Sequence, residues 1–233
     1  MNKFVKILVE VVLFAAIVLL AYLTVKSIMK PVEFNKQKAY RESIAVQRLK
    51  DIRDLEVAFK SVNGRFTASV DSLKDFYNKG DMLVVMQVGS ADDSLAMAHT
   101  AAVKKGLRGK PAEITAQLLQ MYNNGDKNLV FSAETKVPVK DTLFTTRTDF
   151  VVDSLKFIPF SGKQPIQMET IVKTVSGVQV PLFEARIPYK ALLKGLDNQL
   201  RINLDADCRD KNRYEGLQVG SITAPNNNAG NWE

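Results

Sequence analysis

Hydrophobic and polar residues change their pattern several times along the chain, and each change predicts a different element. Residues 7–25, ILVEVVLFAAIVLLAYLTV, are almost uniformly apolar and carry one charge, Glu10. At 1.5 Å of helical rise per residue the run covers roughly 28 Å, close to the hydrocarbon thickness of a bilayer. Lys3, Lys6, Tyr22, Lys26 and Lys30 stand where interfacial anchors belong, and Pro31 offers a stop or kink. The pattern predicts a transmembrane helix over 7–30 behind a short basic N-terminus, 1–6. No small-x-small cleavage site follows the run, so it reads as a retained anchor and not as a signal peptide.

From Asn35 the pattern becomes amphipathic. Ala45, Leu49, Ile52, Leu55, Phe59 and Val62 recur at intervals of three and four, while Arg48, Lys50, Asp51, Arg53, Asp54 and Lys60 fall off that stripe. A long amphipathic helix over 31–64 is expected, stopped by Asn63-Gly64 and packed on its own domain.

Residues 65–233 are expected to form a soluble α+β domain. Short helices are predicted over 69–77, over 111–125 behind Pro111, and over 189–196. MLVVMQV, 82–88, reads as a buried strand between Gly80 and Gly89, and 90–109 as a loop with some helix. Extended runs follow at 129–139 and 150–160. A hairpin through Ser176-Gly177 comes next, then LRINLDA and LQVGSIT as final strands. Pro138, Pro159 and Pro181 place themselves at edges or bulges. The sum is a mainly antiparallel sheet behind a long N-terminal helix.

Composition adds less than the pattern does. With 46% hydrophobic and 24% charged residues the chain is ordinary for a globular protein. Its net charge of +7 is uneven: residues 1–60 hold eleven Lys/Arg against six Asp/Glu, whereas residues 61–233 hold twenty-one against nineteen. The basic excess therefore sits beside the apolar run, which points to membrane lipid as a partner and away from nucleic acid. Cys208 is the only cysteine, so no intrachain disulfide or cysteine-based zinc site forms.

Candidate chemistry is sparse. No GxxxxGK[ST], GxGxxG or GxSxG stretch occurs, and His99 is the only histidine. Asp205, Asp207 and Asp210 in DADCRD are the densest acids, but the loop lacks the glycine and terminal glutamate of a calcium hand. Arg209, Lys211 and Arg213 neutralise it, so a solvated turn is expected. Acidic neighbours should also raise the pKa of the Cys208 thiol. No catalytic, cofactor-binding or metal-binding residues are predicted. An acid at the centre of a span costs about 3 kcal/mol. Glu10 therefore either reaches back to the interface or Lys6, or pairs with a positive group on a neighbouring copy. Trp232, the only tryptophan and one residue from the end of the sequence, is expected to dock the tail near the last strand or the end of the long helix.

The order of parts resembles type IV pilin-like proteins, in particular the pseudopilins of type II secretion. A basic leader, an apolar span with an early acid and a long helix run into NGRFTASVDSLKDF, with Leu55 to Phe59, Asn63, Gly64, Arg65, Phe66, Thr67 and Leu73 as the matching residues. The tail NNNAGNWE is similar to the ending of major pseudopilins. The resemblance implies a non-enzymatic, single-pass subunit of a bacterial inner membrane with its domain in the periplasm. It further implies that the subunit packs through its N-terminal helix against copies of itself or related subunits. Lys26, Lys30, Lys36, Lys38 and Arg41 outnumber Lys3 and Lys6, so the positive-inside rule alone points to a cytoplasmic domain. The alternative function is a membrane-tethered periplasmic module that binds a peptide, glycan or protein through its β-rich half.

Overall fold

A computed structural model describes residues 3–175 and 177–233. Its longest element is α1, Lys3–Asn63, one helix of 61 residues that continues through Pro31. At 1.5 Å per residue it measures roughly 90 Å. From Ile7 to Glu33 every residue is exposed. From Phe34 onward one stripe is buried, with Ala45, Leu49, Ile52 and Leu55 fully so. The buried stripe ends at Ala58, and Val62, predicted to lie on it, is exposed. Gly64 terminates the helix at φ +69°, donating to the Lys60 carbonyl at 2.8 Å, a left-handed stop that suits glycine.

The chain divides into two compact units. The first comprises α1 up to Asp54, Thr67–Val70 and Asp153–Glu233. Its sheet has the order β3-β4-β5, all antiparallel: β3 is Gln167–Val175, β4 is Val178–Pro188 and β5 is Gly216–Gly220. Val175 faces Val178 across the hairpin, and Gly177 in the turn has φ +82°. Ser176 of the predicted turn lies outside the described residues. Pro181 stands in the central strand, but β5 pairs with β4 only from Glu184 onward, so its missing N–H disturbs no ladder on that side. Phe183, Ala185 and Ile187 on β4, with Val219 and Leu217 opposite the last two on β5, supply one buried face, and Leu182 is buried on the other.

Two extended runs predicted for this part of the chain are helical instead. Residues 152–156 form a 3₁₀ turn, followed only by an isolated bridge between Phe157 and Pro165. LRINLDA lies inside a helix, Asn198–Asp210 (α6), preceded by the short α5, Tyr189–Leu192. Leu200, Ile202 and Leu204 alternate as in a strand, yet Leu200, Leu204 and Cys208 are also spaced by four. The Asp197 carboxylate settles the ambiguity locally, accepting from the Gln199 and Leu200 N–H groups at 3.0 Å each as an N-cap.

The second unit comprises Leu55–Phe66 and Asp71–Val152. It holds the last turns of α1 and, from Asp71 on, α2 (Val70–Lys79), with Phe59 edge-on to Phe76 at 5.3 Å. β1 (Asp81–Val88) and β2 (Phe131–Pro138) make a two-stranded antiparallel ribbon. The expectation of a buried strand at 82–88 is corrected: only Val88 is buried, and Val85 is 64% exposed. A two-stranded ribbon covered on one side leaves alternate side chains in solvent. The covered side forms a cluster of Val88, Leu118, Leu129, Phe131 and Ala133, flanked by Val103, Leu107, Ile114 and Tyr122. The stretch read as a loop is largely helix α3, Ser94–Gly106, because Asp93 caps it through Leu95 and Ala96 N–H at 3.1 and 3.0 Å. α4, Pro111–Asn123, begins with proline at its first position, as expected. Buried Thr100 links α3 to β2, donating to the Ala96 carbonyl and accepting from Val130 N–H at 2.8 Å.

Candidate functional site

Two residues were singled out by sequence, Glu10 and Trp232. The first unit contains both and keeps them apart. Glu10 is exposed in the uncovered apolar half of α1, and a contact with Lys6 rests on a side chain that is not among those described. Trp232 shares a cavity with Val46, which is about 54 Å further along the helix by residue count.

The C-terminal tail is bound to the sheet by backbone and amide groups. Asn231 N–H donates to the Gln218 carbonyl at 2.9 Å, and its side-chain amide donates to the Gly216 carbonyl at 2.9 Å. Gln218 N–H in turn donates to Asn231 Oδ1 at 3.0 Å, Gly220 N–H donates to the Ala229 carbonyl at 3.0 Å, and Val219 bridges Gly230. Arg53 on α1 closes the end by donating to Glu233 Oε1 at 2.6 Å. That contact holds the Glu233 carboxyl below the usual carboxylate range. The indole of Trp232 lies over Gly230, where an added Cβ would come within 2.4 Å of ring carbons, so a larger residue there would push the ring away. The indole N–H is buried and has no acceptor among the described residues.

Beside this tail is a cavity of about 340 Å³. Leu204, Leu217 and Trp232 give it apolar walls, and Lys38, Glu42 and Tyr189 form a polar corner. The Tyr189 hydroxyl donates to Glu42 Oε1 at 2.6 Å, and Lys38 donates to the same carboxylate at 3.1 Å. Burial, reinforced by the Glu42 carboxylate, pushes the Tyr189 phenol far above its ordinary pKa. Cys208 also lines the cavity. Its thiol is pushed up first by burial and then by Asp207 and Asp205, so it stays protonated and a weak nucleophile at neutral pH.

The acidic cluster is corrected in its setting, since Asp205, Asp207 and Asp210 ride on α6 and not on a turn. Asp205 is bonded by Arg201, and Lys211 reaches Asp207 at 2.6 Å. Burial raises Asp205 against the pull of Arg201, whereas Lys211 lowers Asp207. Carboxylates already neutralised on a rigid helix do not offer the flexible oxygen cage of a calcium site. Among the described residues no three His, Cys, Asp or Glu side chains converge on a position for a metal ion. His99 is half exposed and meets Asp126 at 2.9 Å in the second unit.

Sequence reasoning missed the Tyr189–Glu42–Lys38 corner. The i,i+4 pair of Lys38 and Glu42 was its one local signal, but both residues were counted only as charge beside the apolar run. Compared with known protein families, curated proteins and solved structures, the chain matches none.

Proposed function

We propose that the chain is a single-pass envelope protein, anchored by residues 7–30, whose extracytoplasmic units serve as a non-enzymatic assembly subunit of pilin-like type. The observation that carries the reading is the uncovered half of α1, in which every residue from Ile7 to Glu33 is exposed although the run is almost entirely apolar. A continuous apolar helix surface of this length exceeds anything a water-soluble monomer ordinarily leaves bare, and lipid is the solvent that suits it. Glu10 then lies within that layer, where an acid needs a partner, and lateral packing of copies or relatives through α1 supplies one.

Cysteine crosslinking in native membranes tests the assembly. Single cysteines at Val9, Phe14 and Leu19, which stand on three different faces of the helix, should give a homotypic or pilin-partner crosslink at one face. Monomer at all three positions would refute lateral packing. The side of the membrane is read from a cysteine at exposed Gln179, since buried Cys208 is unsuited to labelling. An impermeant maleimide should label it without lysis, and labelling only after lysis would refute the periplasmic placement. The cavity beside Trp232 favours a second reading, a tethered binding module. Its volume of about 340 Å³ falls in the range of small-ligand pockets.

A further inference from the structure

We propose that the first unit makes a second contact with the bilayer, through a basic and aromatic base formed by residues 158–163, residues 192–195 and the flank of α1 at Lys36 and Tyr40. The partner is the anionic head-group layer of the membrane that α1 enters, and the inference rests on the reading of residues 7–30 as a span.

The level of this base follows from the helix. The domain first covers α1 at Phe34, which is 7% exposed. Phe34 stands about 12 Å along the axis from Lys26, and the head-group layer occupies roughly 5 to 7 Å of that distance. The base therefore begins about one Debye length or less above the head groups. A helix tilt of about 20° brings one side of it into contact.

Which loops lie on that side is set by Tyr40 and Arg41. The Arg41 guanidinium donates to the carbonyls of Leu192 at 3.1 Å and Lys194 at 2.9 Å, and lies 4.8 Å over the Phe160 ring. Tyr40 stands 6.1 Å from Phe160. Lys194 Nζ reaches the Ser161 carbonyl at 3.4 Å, which joins the two loops into one surface. Side chains on a helix lean toward its N-terminus, so these contacts hang below the Cα positions of residues 40 and 41, toward the apolar half.

The loop holds its aromatic residue outward. Phe160, Gly162 and Lys163 have φ of 60°, 75° and 71°, and the left-handed region is unfavourable for residues that carry a side chain. Buried Ser161 locks the turn: its hydroxyl donates to the Ile158 carbonyl at 2.7 Å and accepts from Gln164 N–H at 3.0 Å. Pro159 and Ser161 face inward, while Phe160 is 44% exposed and Lys163 is exposed. An exposed aromatic ring on a surface shared with Lys163 and Lys194, with Lys36 one helical turn before Tyr40 on α1, is the composition of an interfacial anchor on anionic lipid. Of the acids nearest in sequence, Glu42 faces Lys38 at 3.1 Å, while Glu33 accepts from the uncharged Gln37 and Asp197 caps α6, so Lys36, Arg41, Lys163 and Lys194 still outnumber these last two acids. Docking would fix which face of the first unit is turned toward neighbouring subunits.

The test uses the full chain in vesicles with brominated acyl chains, carrying Trp232→Phe so that one introduced tryptophan reports alone. The Phe160→Trp reporter should be quenched about twofold more strongly when roughly a third of the lipid is phosphatidylglycerol than in phosphatidylcholine, because each lysine shifts docking about fivefold. Lys36→Glu with Lys163→Glu, both exposed and outside the contacts that join the loops, should abolish that increment at an unchanged melting temperature. A Leu19→Trp reporter serves as the control for the span. If Leu19→Trp is quenched and Phe160→Trp is not, the base contact is refuted and the anchor stands. If Leu19→Trp escapes quenching, the anchor is refuted and the base contact falls with it.

Discussion

Residues 7–33 and 34–58 of α1 share one backbone geometry and one unbroken helix, yet the first stretch is bare and the second buries a stripe. The difference lies in periodicity. The first stretch is apolar around the helix from Ile7 to Val25 apart from Glu10, so no face of it is set aside for packing on its own domain, whereas the second repeats apolar residues every three or four positions and can bury one face while keeping charges in water. Hydrophobicity selects the solvent, and its period selects the packing.

The contrast breaks most readily at the fully buried position Leu49. Leu49→Ala should cost about 3 kcal/mol in chemical denaturation, whereas Leu19→Ala should leave stability within about 0.5 kcal/mol. Equal losses at both positions would show that the two halves do not differ in the way described.

The tail tests how far the covered half depends on distant chain. Trp232→Ala should lower stability by about 2 kcal/mol, less than a fully buried tryptophan would because the ring is half buried. Trp232→Phe should cost under about 1 kcal/mol, since the indole N–H makes no hydrogen bond that would be lost. If phenylalanine is as damaging as alanine, the N–H has a partner and this account of the tail is wrong.

A smaller effect is expected near the start of the covered half. Tyr189→Phe removes the hydroxyl that Glu42 accepts and should cost about 1.5 kcal/mol, with the remaining contact of Glu42 to Lys38 intact. A double-mutant cycle with Glu42→Gln reads the coupling directly, and additive losses would mean that the bond contributes nothing.

The smallest effect is the exposed pair of Arg53 and Glu233. Because the fold lowers the Glu233 pKa, the pair stabilises above the ordinary carboxylate pKa of about 4.3 and ceases to do so as pH falls through the lowered value. The melting-temperature difference between the wild type and Glu233→Gln should therefore be present at neutral pH, shrink with added salt and vanish in acid. A difference that persists in strong acid would assign the effect to packing.

Legibility along the chain tracked the distance over which each feature is decided. The stripe at Ala45, Leu49, Ile52 and Leu55, the stop at Gly64, the start of α4 at Pro111 and the β3–β4 hairpin are local, and all were readable. The local pattern of 200–206 does not decide between strand and helix because Leu200, Ile202 and Leu204 satisfy both periods, and only the cap at Asp197 separates them. The exposure of β1 is not legible in its apolar run, which has no marker for how many strands will flank it. The polar corner of Tyr189 and Glu42 joins residues 147 positions apart, which no local pattern encodes.

What the chain determined by itself is the solvent of each stretch: a helix apolar on every side, a helix apolar on one side, and an α+β remainder with nearly balanced charge. These depend on side-chain identity and spacing over a few turns. Tertiary structure alone decided that the remainder divides into two units with separate small sheets. It also decided that the tail completes an edge of one sheet over Gly230, and that Phe160 is turned outward beside Arg41. Those outcomes depend on which distant backbone groups find hydrogen-bond partners and which volumes remain to be filled, and neither quantity exists until the chain has closed on itself.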